Sequence, residues 1–184
     1  MARKLRVEYA GAIYHVMNRG DRREPIFKDN ADRKLFVETL AKACQKTAWQ
    51  VHAFCLMSNH FHLVVETPQP NLVAGMKWFL GTYTGRFNRR HKLFGHLFSG
   101  RYKSLVVDGS GTGYLKTVCD YVHLNPARAK LLRAQQRLKS IAGAVIRFFS
   151  CRPESALRGC AWSGFSARCE SPGTAPQVGG SLSG

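Results

Sequence analysis

Acidic residues are scarce in this 184-residue chain. Eleven Asp and Glu stand against 28 Lys and Arg, a formal charge of +17, with a pI of about 10.2. Such an imbalance implies a polyanionic partner, most simply nucleic acid. An anionic membrane surface is the competing partner, but the long basic amphipathic helix that would lie on one is missing. Long apolar runs are missing too: none approaches the roughly 18 residues of a membrane-crossing helix. No apolar signal segment follows the basic start Met-Ala-Arg-Lys-Leu-Arg, so a soluble, cytoplasmic protein is expected. None of the six cysteines forms a C-x-x-C pair, which argues against a zinc ribbon. Without an export signal a disulfide framework is not expected either. Cys44, Cys55 and Cys119 lie within apolar patterns and read as small core residues. A hydrophobic content of 45% is enough for a packed core.

The pattern along the chain predicts alternating short strands and helices. Ala12 to Met17 alternates and runs into the turn Asn18-Arg-Gly-Asp21. Asp29 or Asn30 caps a helix from about Ala31 to Lys46, with Leu35, Phe36, Leu40 and Ala43 or Cys44 at helical spacing. Trp49 to Met57 and the segment from His60 form a hairpin around Ser58-Asn59. A helix follows from Leu72 to about Arg90, despite Gly75, Gly81 and Gly85, each costing about 1 kcal/mol relative to Ala. Tyr102 to Val107 is a fourth strand. After the glycine-rich joint Gly109 to Gly113, Tyr114 to Asn125 is a last helix, whose continuation Pro126 limits. The order β-α-β-β-α-β plus a C-terminal helix predicts an α+β, ferredoxin-like (RRM-like) antiparallel sheet, helices on one face and the other face free for substrate. Fold alone does not give chemistry.

Chemistry enters with His60-Phe61-His62, inside Cys55-Leu-Met-Ser-Asn-His-Phe-His-Leu-Val-Val-Glu66. On a strand the two imidazoles project together, about 7 Å apart at Cα, while Phe61 points into the core. They read as a metal half-site in search of a third ligand, or as two ordinary histidines on a solvated face. In the last helix, Asp120-Tyr-Val-His-Leu-Asn-Pro-Ala-Arg128, Tyr121 and Asn125 are four apart and share a face. Their oxygens can meet the histidine pair from a neighbouring helix, Asn125 as third ligand and Tyr121 as nucleophile. Taken alone, Tyr121 reads first as an amphipathic core tyrosine and Asn125 as a helix-ending residue before Pro126. His123 faces away and is not assigned as a ligand, His52 reads as structural, and the sequence leaves His15 undecided. Arg86, Arg89, Arg90, His91 and Lys92 cluster at a helix end around Tyr83 and Phe87, followed by Arg101, Tyr102 and Lys103. They read as a DNA grip, with cations for phosphates and aromatics for unpaired bases. Arg3, Lys4 and Arg6 read as tracking a second stretch of strand.

These blocks together resemble the single-tyrosine HUH transposases of the insertion-sequence type, within them the REP-associated tyrosine transposases. The resemblance rests on Ile13-Tyr-His-Val-Met-Asn-Arg-Gly20, on Val51 to Leu63, on Gly81 to His91 continued by Gly95 to Lys103, and on Tyr114 to Arg128. It spans roughly residues 5 to 132. It implies that His60 and His62 hold Mg²⁺ or Mn²⁺ with Asn125 as third ligand, and that Tyr121 is the nucleophile. It also implies cleavage and rejoining of single-stranded, hairpin-forming DNA through a 5′-phosphotyrosine, by a monomer or homodimer at the bacterial nucleoid. Ser58 stands where proline is expected in that family, and the joint Gly109 to Gly113 is richer in glycine than expected. Residues 1–132 are thus read as the transposase domain. Residues 133–184 are read as an atypical basic Gly/Ser-rich tail, disordered or arising from a shifted reading frame. That departure keeps a second reading open, a nucleic-acid-binding module on the same fold whose catalysis has lapsed.

Overall fold

The computed structural model describes residues 6–109 and 113–128, together with the backbone of 146–148. Strand β1 (Ala12–Arg19) leads to helix α1 (Asn30–Thr47), the hairpin β2 (Gln50–Met57) and β3 (His60–Thr67), helix α2 (Leu72–His91), strand β4 (Lys103–Val107) and helix α3 (Tyr114–Arg128). A three-residue strand β5 (Ile146–Phe148) pairs antiparallel with β2. The sheet order is β4-β1-β3-β2-β5. Its first four strands, all antiparallel, are the ferredoxin-like arrangement that the element order predicts. Arg3, Lys4, the middle of the glycine joint (110–112) and the tail, β5 backbone excepted, lie outside the described residues.

Alternation along the strands sorts the side chains onto two faces. Tyr14, Val16, Phe54, Leu56, Phe61, Leu63 and Val65 join Phe36, Leu40, Phe79 and Tyr83 of α1 and α2 in the larger core. Ile13, Ala53, Cys55, Met57, Val64 and Val107 face the other way and pack with Val122 of α3. A register shift between Val51 and Ala53 keeps this assignment in phase along β2. The second face is therefore not wholly open: α3 lies across it, packed on β2 and β3.

Local chemistry explains the element ends. Asp29 is the N-cap of α1 and accepts from the Asp32 backbone N–H at 2.9 Å. Ala48 and Lys92 end α1 and α2 in the left-handed region. Gly75 lets α2 press onto the indole of Trp49, where an added Cβ would sit 2.1 Å from the ring. Helix α3 runs to Arg128, two residues past Pro126. Pro126 has no N–H to donate to the Val122 carbonyl and crowds it, and the helix ends two residues beyond.

Candidate functional site

The hairpin turn sets the histidines. Ser58-Asn59 is pinned from outside, its carbonyls accepting from the backbone N–H groups of Gly20, Ile26 and Phe27 at 2.8–3.1 Å. From this anchored turn β3 projects His60 and His62 onto the α3 face, their ring centroids 5.3 Å apart. In register, His62 lies between Met17 and Cys55, and His60 between Arg19 and Met57. His60 Nδ1 meets the Asn59 carboxamide oxygen at 2.7 Å. An amide oxygen only accepts, so Nδ1 carries the proton and Nε2 keeps its lone pair. Burial lowers the pKa of His60, and the Arg19 guanidinium adds to the effect. Burial pushes His62 down to about 3, assisted by His15, His60 and Arg19. Both rings are thus neutral bases at pH 7, the form that binds a metal.

Tyr121 stands beside them. Its ring lies 6.3 Å from that of His62 and 6.0 Å from that of His15, edge-on to both. It is 39% exposed, so the phenol is reachable from solvent while its ring rests on the imidazoles. One turn later, Asn125 is half-buried, and its Nδ2 is a buried atom without a hydrogen-bond partner among the described residues. Val122 and His123 are buried beneath the same helix. Among the described residues no three His, Cys, Asp or Glu side chains cluster as a metal set.

A cleft of about 300 Å³ opens in front of the histidines, lined by Asn18, Arg19, His60, His62, Ser99, Arg101 and Lys103, with Met17 at its floor. Arg101 and Lys103 are exposed there, next to the histidines. Arg6 lies at the start of β4, its guanidinium 3.8 Å above the ring of Tyr102 and hydrogen-bonded to the Tyr102 carbonyl. The remaining predicted contacts sit elsewhere. Arg86, Arg89, Arg90 and Lys92 belong to α2 and its cap, on the layer behind the sheet. Arg86 donates to Thr39 Oγ1 at 2.9 Å. Arg90 pairs with Asp29 at 2.6 Å and with fully buried Asp32 at 2.5 Å, where His91 also reaches Asp32. Tyr83 is corrected outright: it is completely buried and its hydroxyl donates to the Ile26 carbonyl at 2.6 Å, so it is a core residue with no face for a base. Phe87 is buried likewise. His52 bonds Glu66 at 2.9 Å, the structural part expected of it.

One residue at the site, Arg19, escaped the reading of the sequence, and another, His15, was left undecided by it. Arg19 is the cross-strand partner of His60, and His15 reaches His62 directly. Strand parity carried the signal: 15, 17 and 19 share a face of β1. What it lacked was the register that brings them to β3.

The family model for the IS200-like transposase matches residues 8–125, most of the chain. The chain belongs to the IS200-like transposase family. Transposition of DNA is that family's activity, and His60, His62, Tyr121 and Asn125 all fall within the matched span. The fold of this family member is also that of a REP-associated tyrosine transposase solved bound to a REP hairpin, at 12% identity and a TM-score of 0.61, over 78% of this chain and 82% of that one. A putative transposase of Deinococcus radiodurans R1 aligns at 18% identity and a TM-score of 0.45, over 65% of this chain and 97% of that one. Curated proteins give no significant match.

Proposed function

We propose that this transposase cuts and rejoins single-stranded, hairpin-forming DNA, with Tyr121 as nucleophile and a divalent cation, Mg²⁺ or Mn²⁺, held by His60, His62 and the Asn125 carboxamide oxygen. The observation that carries the reading is the Tyr121 ring set against His62, 6.3 Å away, with His62 itself lining a cationic cleft. Two neutral imidazoles with a harder oxygen donor leave positions open for phosphate and water, unlike a closed structural zinc site. A cation held by these residues would supply Lewis-acid stabilisation of the phosphate charge.

The chain's own residues do the rest. Arg101 and Lys103 draw the backbone into the cleft and offset its charge. The Tyr121 oxygen attacks phosphorus and its proton leaves to solvent. The bond from phosphorus to the 3′ oxygen breaks, and that oxygen takes up a proton to become a free 3′-hydroxyl. The phosphate stays on Tyr121 as a 5′-phosphotyrosine. One phosphodiester is exchanged for another, so rejoining by the reverse attack requires no ATP.

Incubation with single-stranded hairpin DNA and Mn²⁺, followed by a denaturing gel, tests the reading. The expected result is a covalent adduct that disappears in Tyr121→Phe and in EDTA. Tight binding without an adduct across a range of hairpins would instead establish the lapsed binding module.

A further inference from the structure

His15 Nε2 lies 3.0 Å from His62 Nδ1, and both residues are more than nine-tenths buried. The rings are within 22° of parallel with centroids 5.2 Å apart. Face-to-face stacking would bring the centroids closer than the nitrogens allow. Two imidazoles meeting nearly in one plane, nitrogen to nitrogen, reproduce this separation. The contact is therefore an in-line hydrogen bond, and such a bond holds one proton.

We infer that His15 is the positioning residue for His62: its Nε2 accepts the His62 Nδ1 proton and so fixes the His62 tautomer with the Nε2 lone pair turned to the site. The inference rests on the metal reading above. The direction assigned to the bond matches His62 to His60, whose Asn59 contact leaves Nε2 as its free base. With His62 in the matching tautomer, both Nε2 atoms, on rings with centroids 5.3 Å apart, keep a lone pair, which favours a cation. With the opposite tautomer an N–H would point where a cation must bind. A hydrogen bond to the outer nitrogen of a ligating histidine sets ring orientation and raises basicity. Met17, in register with His62, offers no hydrogen bond for that role, whereas His15 one pleat away does. The same His15 ring lies against Tyr121, so it also braces the phenol.

Long-range ¹H–¹⁵N spectra of metal-free protein read the tautomer directly, and Mn²⁺ titration followed by electron paramagnetic resonance reads affinity. His62 is expected to be protonated on Nδ1 in the wild type. His15→Phe, which fills the space without an acceptor, is expected to weaken Mn²⁺ binding about 10- to 100-fold. His15→Gln, whose amide oxygen can take the proton, is expected to recover most of that loss. Protonation of wild-type His62 on Nε2 overturns the inference, and so does a His15→Phe variant that binds Mn²⁺ as the wild type does while His62→Ala does not. Absence of Mn²⁺ binding in the wild type overturns the metal reading itself, a separate outcome.

Discussion

Arg90 and Arg101 are the same residue type in the same basic stretch, and the fold gives them different work. Arg101 faces the histidine cleft. Arg90 closes the end of α2 onto the start of α1, gripping Asp29 and Asp32. The hydrogen bond from Arg90, aided by the Asp32 backbone N–H, holds the Asp29 carboxyl at about 2 against an ordinary 3.8. The sign of the pH effect follows. The folded chain gives up this proton more readily than the unfolded one, so the stabilisation is complete above pH 4 and is lost as pH falls through about 2. Arg90→Met should therefore lower stability at pH 7 and flatten the slope of stability against pH between 4 and 2, as measured by urea unfolding. Its affinity for DNA at neutral pH should match the wild type, because the guanidinium is engaged within the fold.

At the scale of elements, the glycines of α2 look alike in the sequence and differ in the structure. Gly75 faces Trp49, and a methyl group there meets the indole. At Gly85 a methyl group would meet nothing within 4 Å. Gly85→Ala should raise stability by up to about 1 kcal/mol, the helix-propensity difference. Gly75→Ala should lower it by about 1–3 kcal/mol, the range for overfilled cores. Thermal unfolding of the two variants checks both, and equal shifts would contradict the packing described. The contrast shows where legibility stops. Periodicity and caps place β1 to β4 and α1 to α3 within a few residues, since each rests on local alternation or 3.6-residue spacing. The His60–His62 pair and the Tyr121–Asn125 face are local spacings too, and so were readable. Contacts that need the register of strands distant in sequence, such as Gly75 on Trp49 or His15 on His62, were not. Tyr83 was misplaced for the same reason, since an aromatic among arginines reads as a surface residue until α2 is docked on the sheet.

At the scale of the whole molecule, the sheet divides the basic residues among those described. On one side the cleft before His60 and His62 carries Arg19, Arg101 and Lys103. On the other, α2 presents Arg89 and Lys92, both exposed, behind a core of aromatic side chains that keeps them from the cleft. Affinity for a polyanion is governed by the counterions that its phosphates release, and each phosphate of a single strand that the protein neutralises adds about 0.7 to the slope of log affinity against log salt. If Tyr121 is to reach a phosphate, the strand must lie on the cleft side. Replacing Arg101 and Lys103 together by Ala should then weaken hairpin binding and reduce the salt slope by about 0.7 for each phosphate no longer neutralised. Replacing Arg89 and Lys92 together, an equal change in net charge, should leave the slope within about 0.3 of the wild type, well under the effect of a single phosphate. Fluorescence anisotropy between low and moderate salt measures both. Equal weakening by the two pairs would mean that DNA responds to total charge and is not drawn to the face that carries the tyrosine.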